Sequence, residues 1–147
     1  MEPSPLEKAL ALALQAHQGQ TDKSGLPYIL HPIRLMMRVE DPQAKVVALL
    51  HDVLEDSDMT ENDLQNAGFD KQIIEAVVCL TKTPSIDYME YIRRIKKNSL
   101  ATQVKLVDLE DNLNANRLKE IEQKDCERMA RYLQAREILL EKPEKQG

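Results

Sequence analysis

The sequence predicts an all-α fold, a compact single-domain bundle of about seven or eight helices. Three observations carry that expectation. Leu, Ala, Glu and Lys are plentiful, while Gly occurs four times, Phe once and Trp not at all, a mix that favours helix over sheet. Apolar residues recur at three- and four-residue spacings in segment after segment. Several segments open on helix-capping residues, and no stretch reads convincingly as a strand. At 147 residues the chain suits one domain with a proper core, 1–147, and is short for two.

The elements follow in order. Ser4-Pro5-Leu6-Glu7 combines an N-cap, a proline at the first helical position and a capping-box Glu. A helix is expected from there to about Gln18, with Leu6, Leu10, Ala13 and Leu14 on its apolar face and His17 at its end on the same side. A lone His there is more often a packed structural residue than a ligand. Gly19 to Pro27 is a loop holding two of the four glycines. His31-Pro32 opens a second helix through Ile33, Leu35, Met36 and Val39. Asp41 caps and Pro42 starts a central helix expected to run to about Asp56.

Thr60 and Asp63 read as the cap of a short helix ending near Ala67-Gly68. Lys71 to Lys82 follows, and Thr83-Pro84-Ser85 breaks it. Asp87 to Lys97 is the next helix, its basic residues largely off the apolar stripe and most simply solvated. Leu100 to Leu118 is expected to be helical, and a last helix spans about 122–141. No repeat, low-complexity tract or interdomain linker interrupts the series.

Composition narrows the function. The formal net charge of −5 lacks the basic footprint of a nucleic-acid binder, so no nucleic-acid partner is expected. Cys79 and Cys126 have neither metal nor disulfide spacing and suit free thiols in a reducing compartment. The N-terminus has no basic region, and Leu10 to Leu14 is too short an apolar run for a signal or a span. A cytoplasmic protein without a membrane partner is the expectation.

The chemistry concentrates in Ala48 to Asp56, Ala-Leu-Leu-His-Asp-Val-Leu-Glu-Asp. On a continuous helix His51 would stack with Glu55, and Asp52 with Asp56. These residues are either a solvated helix end or a buried group that needs a counter-charge, for which a divalent cation is the usual solution. Asp108, Asp111 and Asn112 stand at i, i+3 and i+4, again on one face. His31, His51 with Asp52, and Asp108 thus lie on separate helices. Two imidazoles and two carboxylates suit a divalent metal with positions left for water and substrate.

His31-Pro32, His51-Asp52 with Glu55-Asp56, and Val104-Lys105-Leu106-Val107-Asp108 together resemble the HD-domain phosphohydrolases. Within them the chain more closely resembles the hydrolase domain of the Rel/SpoT family and its small free-standing alarmone hydrolases. Ala16-His17-Gln18-Gly19-Gln20 and Lys23-Ser24-Gly25-Leu26-Pro27-Tyr28 look like that branch's opening motif. Leu49 to Asp56 matches its central motif, and Thr81-Lys82 falls where the family often has the same pair. The resemblance spans roughly 6–118.

That resemblance implies a metal-dependent phosphohydrolase acting on a small nucleotide, the 3′-pyrophosphate of guanosine tetra- and pentaphosphate. It implies one divalent ion, commonly Mn2+, held by His31, His51, Asp52 and Asp108. Glu55 and Asp56 would be the acidic pair that handles the attacking water and the proton transfers, and Lys23 and Asn112 would contact substrate. Two places depart from the family. Asp22 stands where an Arg usually precedes the loop Lys, and Leu109-Glu110-Asp111-Asn112 replaces Arg-Leu-His-Asn. Acidic groups there would repel a phosphorylated nucleotide if they faced the pocket. The alternatives are a phosphatase or pyrophosphatase for another nucleotide, and a non-catalytic nucleotide-binding module.

Overall fold

The computed structural model describes residues 2–113 and 123–141, with the side chains of 123–125 left aside. The described residues form nine helical segments: α1 (Pro5–Ala16), α2 (Leu30–Arg38), α3 (Pro42–Leu50), α4 (Val53–Asp56), α5 (Glu61–Asn66), α6 (Lys71–Cys79), α7 (Tyr88–Lys96), α8 (Ser99–Asn112) and α9 (Gln123–Leu140). The fold is all-α, and the only β-type pairing among these residues is a bridge between Thr21 and Pro27. No helix among them is long and apolar enough to cross a membrane.

The helix starts are built as their sequences dictate. Ser4 accepts from the Glu7 amide while the Glu7 side chain accepts from the Ser4 amide. Thr60 and Asp63 make the same reciprocal pair ahead of α5. Asp41, Asp87 and Asn98 each accept from an amide of the first turn of α3, α7 and α8. Such caps satisfy amides that a helix leaves without a carbonyl. Gly68, at φ +87°, ends α5 in the left-handed region, where a side chain would be strained.

α3 is the centre of the bundle. Ala44, Val46, Val47, Ala48, Leu49 and Leu50 are all buried, so it is apolar on every side, as a core helix must be. It packs against α1, α2, α6 and α8, while α9 lies against α7 and α8. Ile73, Ala76 and Val77 of α6, Tyr91, Ile92 and Ile95 of α7, and Ala101, Val104 and Leu109 of α8 complete the core around it.

The central helix does not run unbroken to Asp56. It stops at Leu50, turns at His51-Asp52 and resumes as the single turn α4. The His51 ring donates from Nδ1 to the Ala48 carbonyl at 2.7 Å. That is the carbonyl an uninterrupted helix would offer to the Asp52 amide, so the ring competes with the backbone for it. Asp52 takes φ −106° and ψ 1°, outside helical geometry. This break, unseen in the periodicity, raises the segment count to nine. Smaller differences lie at the ends: α1 stops at Ala16, not Gln18, and α6 stops at Cys79, not Lys82. α8 is described to Asn112, and the expected extension to Leu118 falls outside the described residues.

Candidate metal centre

Three helices meet at one buried point. His31 lies in the first turn of α2, His51 at the break after α3, and Asp108 in α8. Each offers a ligand atom, and these atoms all lie within 4.8 Å of one another. The residues are 5%, 3% and 5% exposed, so of the Ala48–Asp56 stretch His51 is buried, while Glu55 and Asp56 are exposed. His31 Nε2 is 2.9 Å from Asp108 Oδ1, and His51 Nε2 is 3.7 Å from the same oxygen. The two rings meet edge-on with centroids 5.4 Å apart.

The donor chemistry fits a cation. A carbonyl can only accept, so His51 Nδ1 carries the hydrogen that it gives to Ala48. In the neutral ring the Nε2 lone pair then faces Asp52 Oδ2 at 3.0 Å and Asp108 Oδ1. This nitrogen is buried and has no hydrogen-bond partner. A lone pair aimed at two anionic oxygens is stable only with a positive charge between them. Burial pulls the His51 pKa down, yet Asp52 and Asp108 raise it well above the ordinary imidazole value. The same anionic surroundings that favour a proton here also favour a bound cation.

The carboxylates tell the same story. Burial opposes ionisation of Asp108, but Lys105, His31 and His51 hold its carboxyl well below the usual range. Burial also opposes ionisation of Asp52, and His51 outweighs it and holds the carboxyl down at about 2. Asp52 adjoins the three, its Oδ2 3.0 Å from His51 Nε2. Its carboxylate accepts the Tyr28 hydroxyl. Burial and Asp52 push the Tyr28 pKa upward, which keeps that hydroxyl a donor.

Glu55 and Asp56 follow on α4. Glu55 Oε1 accepts the Lys82 amide at 2.5 Å, which ties α4 to the segment after α6. Burial raises the Glu55 pKa, with Asp52 and Asp56 adding to it against the Lys82 bond. Burial, then Asp52, raises that of Asp56 as well. Both are exposed, in contrast to the buried donors. Asn112 donates from Nδ2 to Asp108 Oδ1 at 3.2 Å, so it lies at the donor group's edge. Lys23 is exposed in the loop before α2.

His17 lies outside the donor set. Its Nδ1 bonds Gln20 Oε1 at 2.8 Å, and its ring lies against Tyr28 at 4.8 Å. Gln20 in turn donates to the Ala16 and Asp56 carbonyls. His17 thus belongs to the stitching between the end of α1, the loop and α4.

Each acidic departure is engaged within the chain. Asp22 turns into its own loop, where Oδ1 accepts the Ser24 amide at 2.8 Å and the Leu26 amide at 3.0 Å. Gly25 sits at φ +82° to close that turn. Glu110 pairs with Arg38 at 2.7 Å and Arg136 at 3.5 Å. Asp111 pairs with Arg34 and His31. A hydrogen bond of this kind contributes on the order of 0.5–1.5 kcal/mol. With two such bonds lost, Asp22→Ala should lower the melting temperature by roughly 2–12 °C, at about 2–4 °C per kcal/mol for a domain of this size. A melting curve superimposable on wild type would show that the loop does not depend on Asp22.

Sequence reasoning placed Tyr28 and Lys105 only within motifs, passed over Arg34, and gave none of the three a role. Lys105 Nζ bonds Asp108 Oδ2 at 2.8 Å and lies 5.4 Å over the Tyr91 ring. It leaves Oδ1 to the imidazoles. A common signal could have found all three residues. Each stands three positions from a candidate donor: Tyr28 and Arg34 about His31, and Lys105 before Asp108.

No protein-family model matches the chain. A guanosine-3′,5′-bis(diphosphate) 3′-pyrophosphohydrolase of Aquifex aeolicus is 32% identical over 118 residues, 74% of this chain and 17% of that protein. One of the same name from Vibrio cholerae is 37% identical over 89 residues, 58% of this chain and 12% of that one. The bifunctional (p)ppGpp synthase/hydrolase SpoT of Escherichia coli is 35% identical over 89 residues, again 58% and 12%. The chain is a relative of the Rel/SpoT hydrolases. It spans only 12% to 17% of the length of these relatives. A solved structure described as a metazoan ortholog of SpoT that hydrolyses ppGpp superposes with a TM-score of 0.74 at 24% identity. That match covers 95% of this chain and 88% of the other. The Rel/SpoT-like fold therefore extends beyond the part matched in sequence.

Proposed function

We propose that this Rel/SpoT relative is a divalent-cation-dependent phosphohydrolase that removes the 3′-pyrophosphate of ppGpp and pppGpp. The observation that carries the reading is the buried His31, His51 and Asp108 group with its ligand atoms within 4.8 Å of one another. The names of the relatives supply the substrate. His31, His51 and Asp108 would hold the ion, with Asp52, whose Oδ2 is 3.0 Å from His51 Nε2, as a fourth donor. Mn2+ suits this mixed imidazole and carboxylate set. Such an ion supplies positive charge to a phosphate oxygen and acidifies water.

The remaining roles fall to this chain's own side chains. Glu55 or Asp56 takes the proton of the water that attacks phosphorus. That proton ends on the ribose 3′ oxygen as the P–O bond breaks, giving pyrophosphate and GDP or GTP. A carboxyl group pushed up by burial is a stronger base for that transfer, which favours these two residues. Lys23 would meet phosphate and Asn112 would meet the nucleotide.

One observation favours a second reading, a different nucleotide as substrate. Asp22 stands where the family usually has Arg and is tied to its loop amides, so the position supplies no cation to a substrate. A Mn2+-supplemented panel of nucleotides, ppGpp included, separates the two readings. Release of pyrophosphate from ppGpp well above that from any other nucleotide supports the first. Efficient turnover of another nucleotide with ppGpp untouched supports the second.

A further inference from the structure

We infer that Asp111, clamped by Arg34, is a positioning residue that fixes the His31 ring for metal binding; the inference rests on the metal reading proposed above. Where the family typically has His, this chain has Asp111, buried at 4% exposure. Its Oδ2 lies 2.5 Å from His31 Nδ1. A carboxylate there takes the Nδ1 hydrogen. The Nε2 lone pair is then left facing Asp108 Oδ1 at 2.9 Å, inside the donor group. A carboxylate behind a metal-ligating imidazole selects the tautomer, holds the ring and raises its basicity.

Arg34 makes the arrangement stable. Its Nε and an Nη reach the two oxygens of Asp111 at 2.9 and 3.0 Å, a bidentate grip that sets the plane of the carboxylate. Without it a buried anion would sit beside Asp108 with less compensation. Arg34 is one turn beyond His31 on α2, and Asp111 one turn beyond Asp108 on α8. The same two helices therefore present the ligands and their support in register.

A structural alternative is that Arg34-Asp111 only ties α2 to α8. Arg38 and Glu110 join the same helices with a 2.7 Å ion pair outside the donor group, and they serve as the internal control. The test is Mn2+ titration followed by electron paramagnetic resonance of free Mn2+ on wild type, Asp111→Asn, Arg34→Met and Arg38→Met. Thermal melts run alongside, with 15N NMR of the imidazoles in the Zn2+-loaded proteins. Asp111→Asn should weaken Mn2+ binding by roughly 10–100-fold. Arg34→Met should weaken it in the same direction, and Arg38→Met should leave it at the wild-type value. The His31 Nδ1–H signal should shift in Asp111→Asn and stay in Arg38→Met.

Equal affinity and an unchanged His31 signal in Asp111→Asn would overturn this inference while the metal reading stands. Equal weakening in Arg38→Met and Arg34→Met would also overturn it, in favour of the helix tie. Failure of wild type to take up Mn2+ or Zn2+ would overturn the metal reading and the inference with it.

Discussion

His51→Ala is expected to lose metal and turnover together. The ring is buried, its Nδ1 is engaged with Ala48, and its Nε2 faces Asp52 and Asp108. Removing it deletes a donor and leaves two carboxylates closer to bare mutual repulsion. A bound ion contributes several kcal/mol of charge stabilisation to phosphoryl chemistry. At about 1.4 kcal/mol per tenfold, turnover should fall by roughly 10²-fold or more. Elemental analysis should find well under one equivalent of metal in the purified variant. If the variant keeps a full equivalent, His51 is not a ligand.

Glu55→Gln and Asp56→Asn are expected to do the opposite to metal and the same to rate. Each amide keeps the shape of the acid, and in Glu55→Gln the side-chain carbonyl could still accept the Lys82 amide that Glu55 now holds. Neither residue belongs to the buried donor group, so metal content should stay at the wild-type level. What each substitution removes is a proton acceptor. Loss of a general base typically costs about 10²–10⁴-fold. At least one variant should fall in that range by initial-rate measurement under saturating Mn2+. Rates within a few-fold of wild type in both would assign the pair a structural role.

Much of the fold was legible because helix starts are local. Ser4 with Glu7, Asp41 with Pro42, and Thr60 with Asp63 announce themselves within four residues, and each cap forms as read. The break at His51 was not legible. It depends on a side chain competing for a backbone carbonyl, and nothing in the apolar periodicity records that choice. The break leaves Glu55 and Asp56 on the separate turn α4, where the Asp56 amide bonds the Asp52 carbonyl at 3.0 Å.

The site divides along the same line. His31, His51, Asp52 and Asp108 stand out because ionisable residues are conspicuous inside apolar segments. Their mutual distances depend on how α2, α3 and α8 cross, which no local pattern contains. The supporting charges were hidden for a different reason. Lys105 and Arg34 look like ordinary surface cations in a chain that is 31% charged. Only packing reveals that each holds a buried carboxylate. Asp22, Glu110 and Asp111 looked like repulsion aimed at a substrate, and each is engaged by loop amides or by a cation.

The most direct test of the central claim is 31P NMR of ppGpp incubated with the metal-loaded protein and, in parallel, with protein stripped by a chelator. The account predicts pyrophosphate and GDP from the loaded protein, no products after stripping, and recovery on adding Mn2+. Intact ppGpp in the loaded sample, or products formed equally well after stripping, would contradict it.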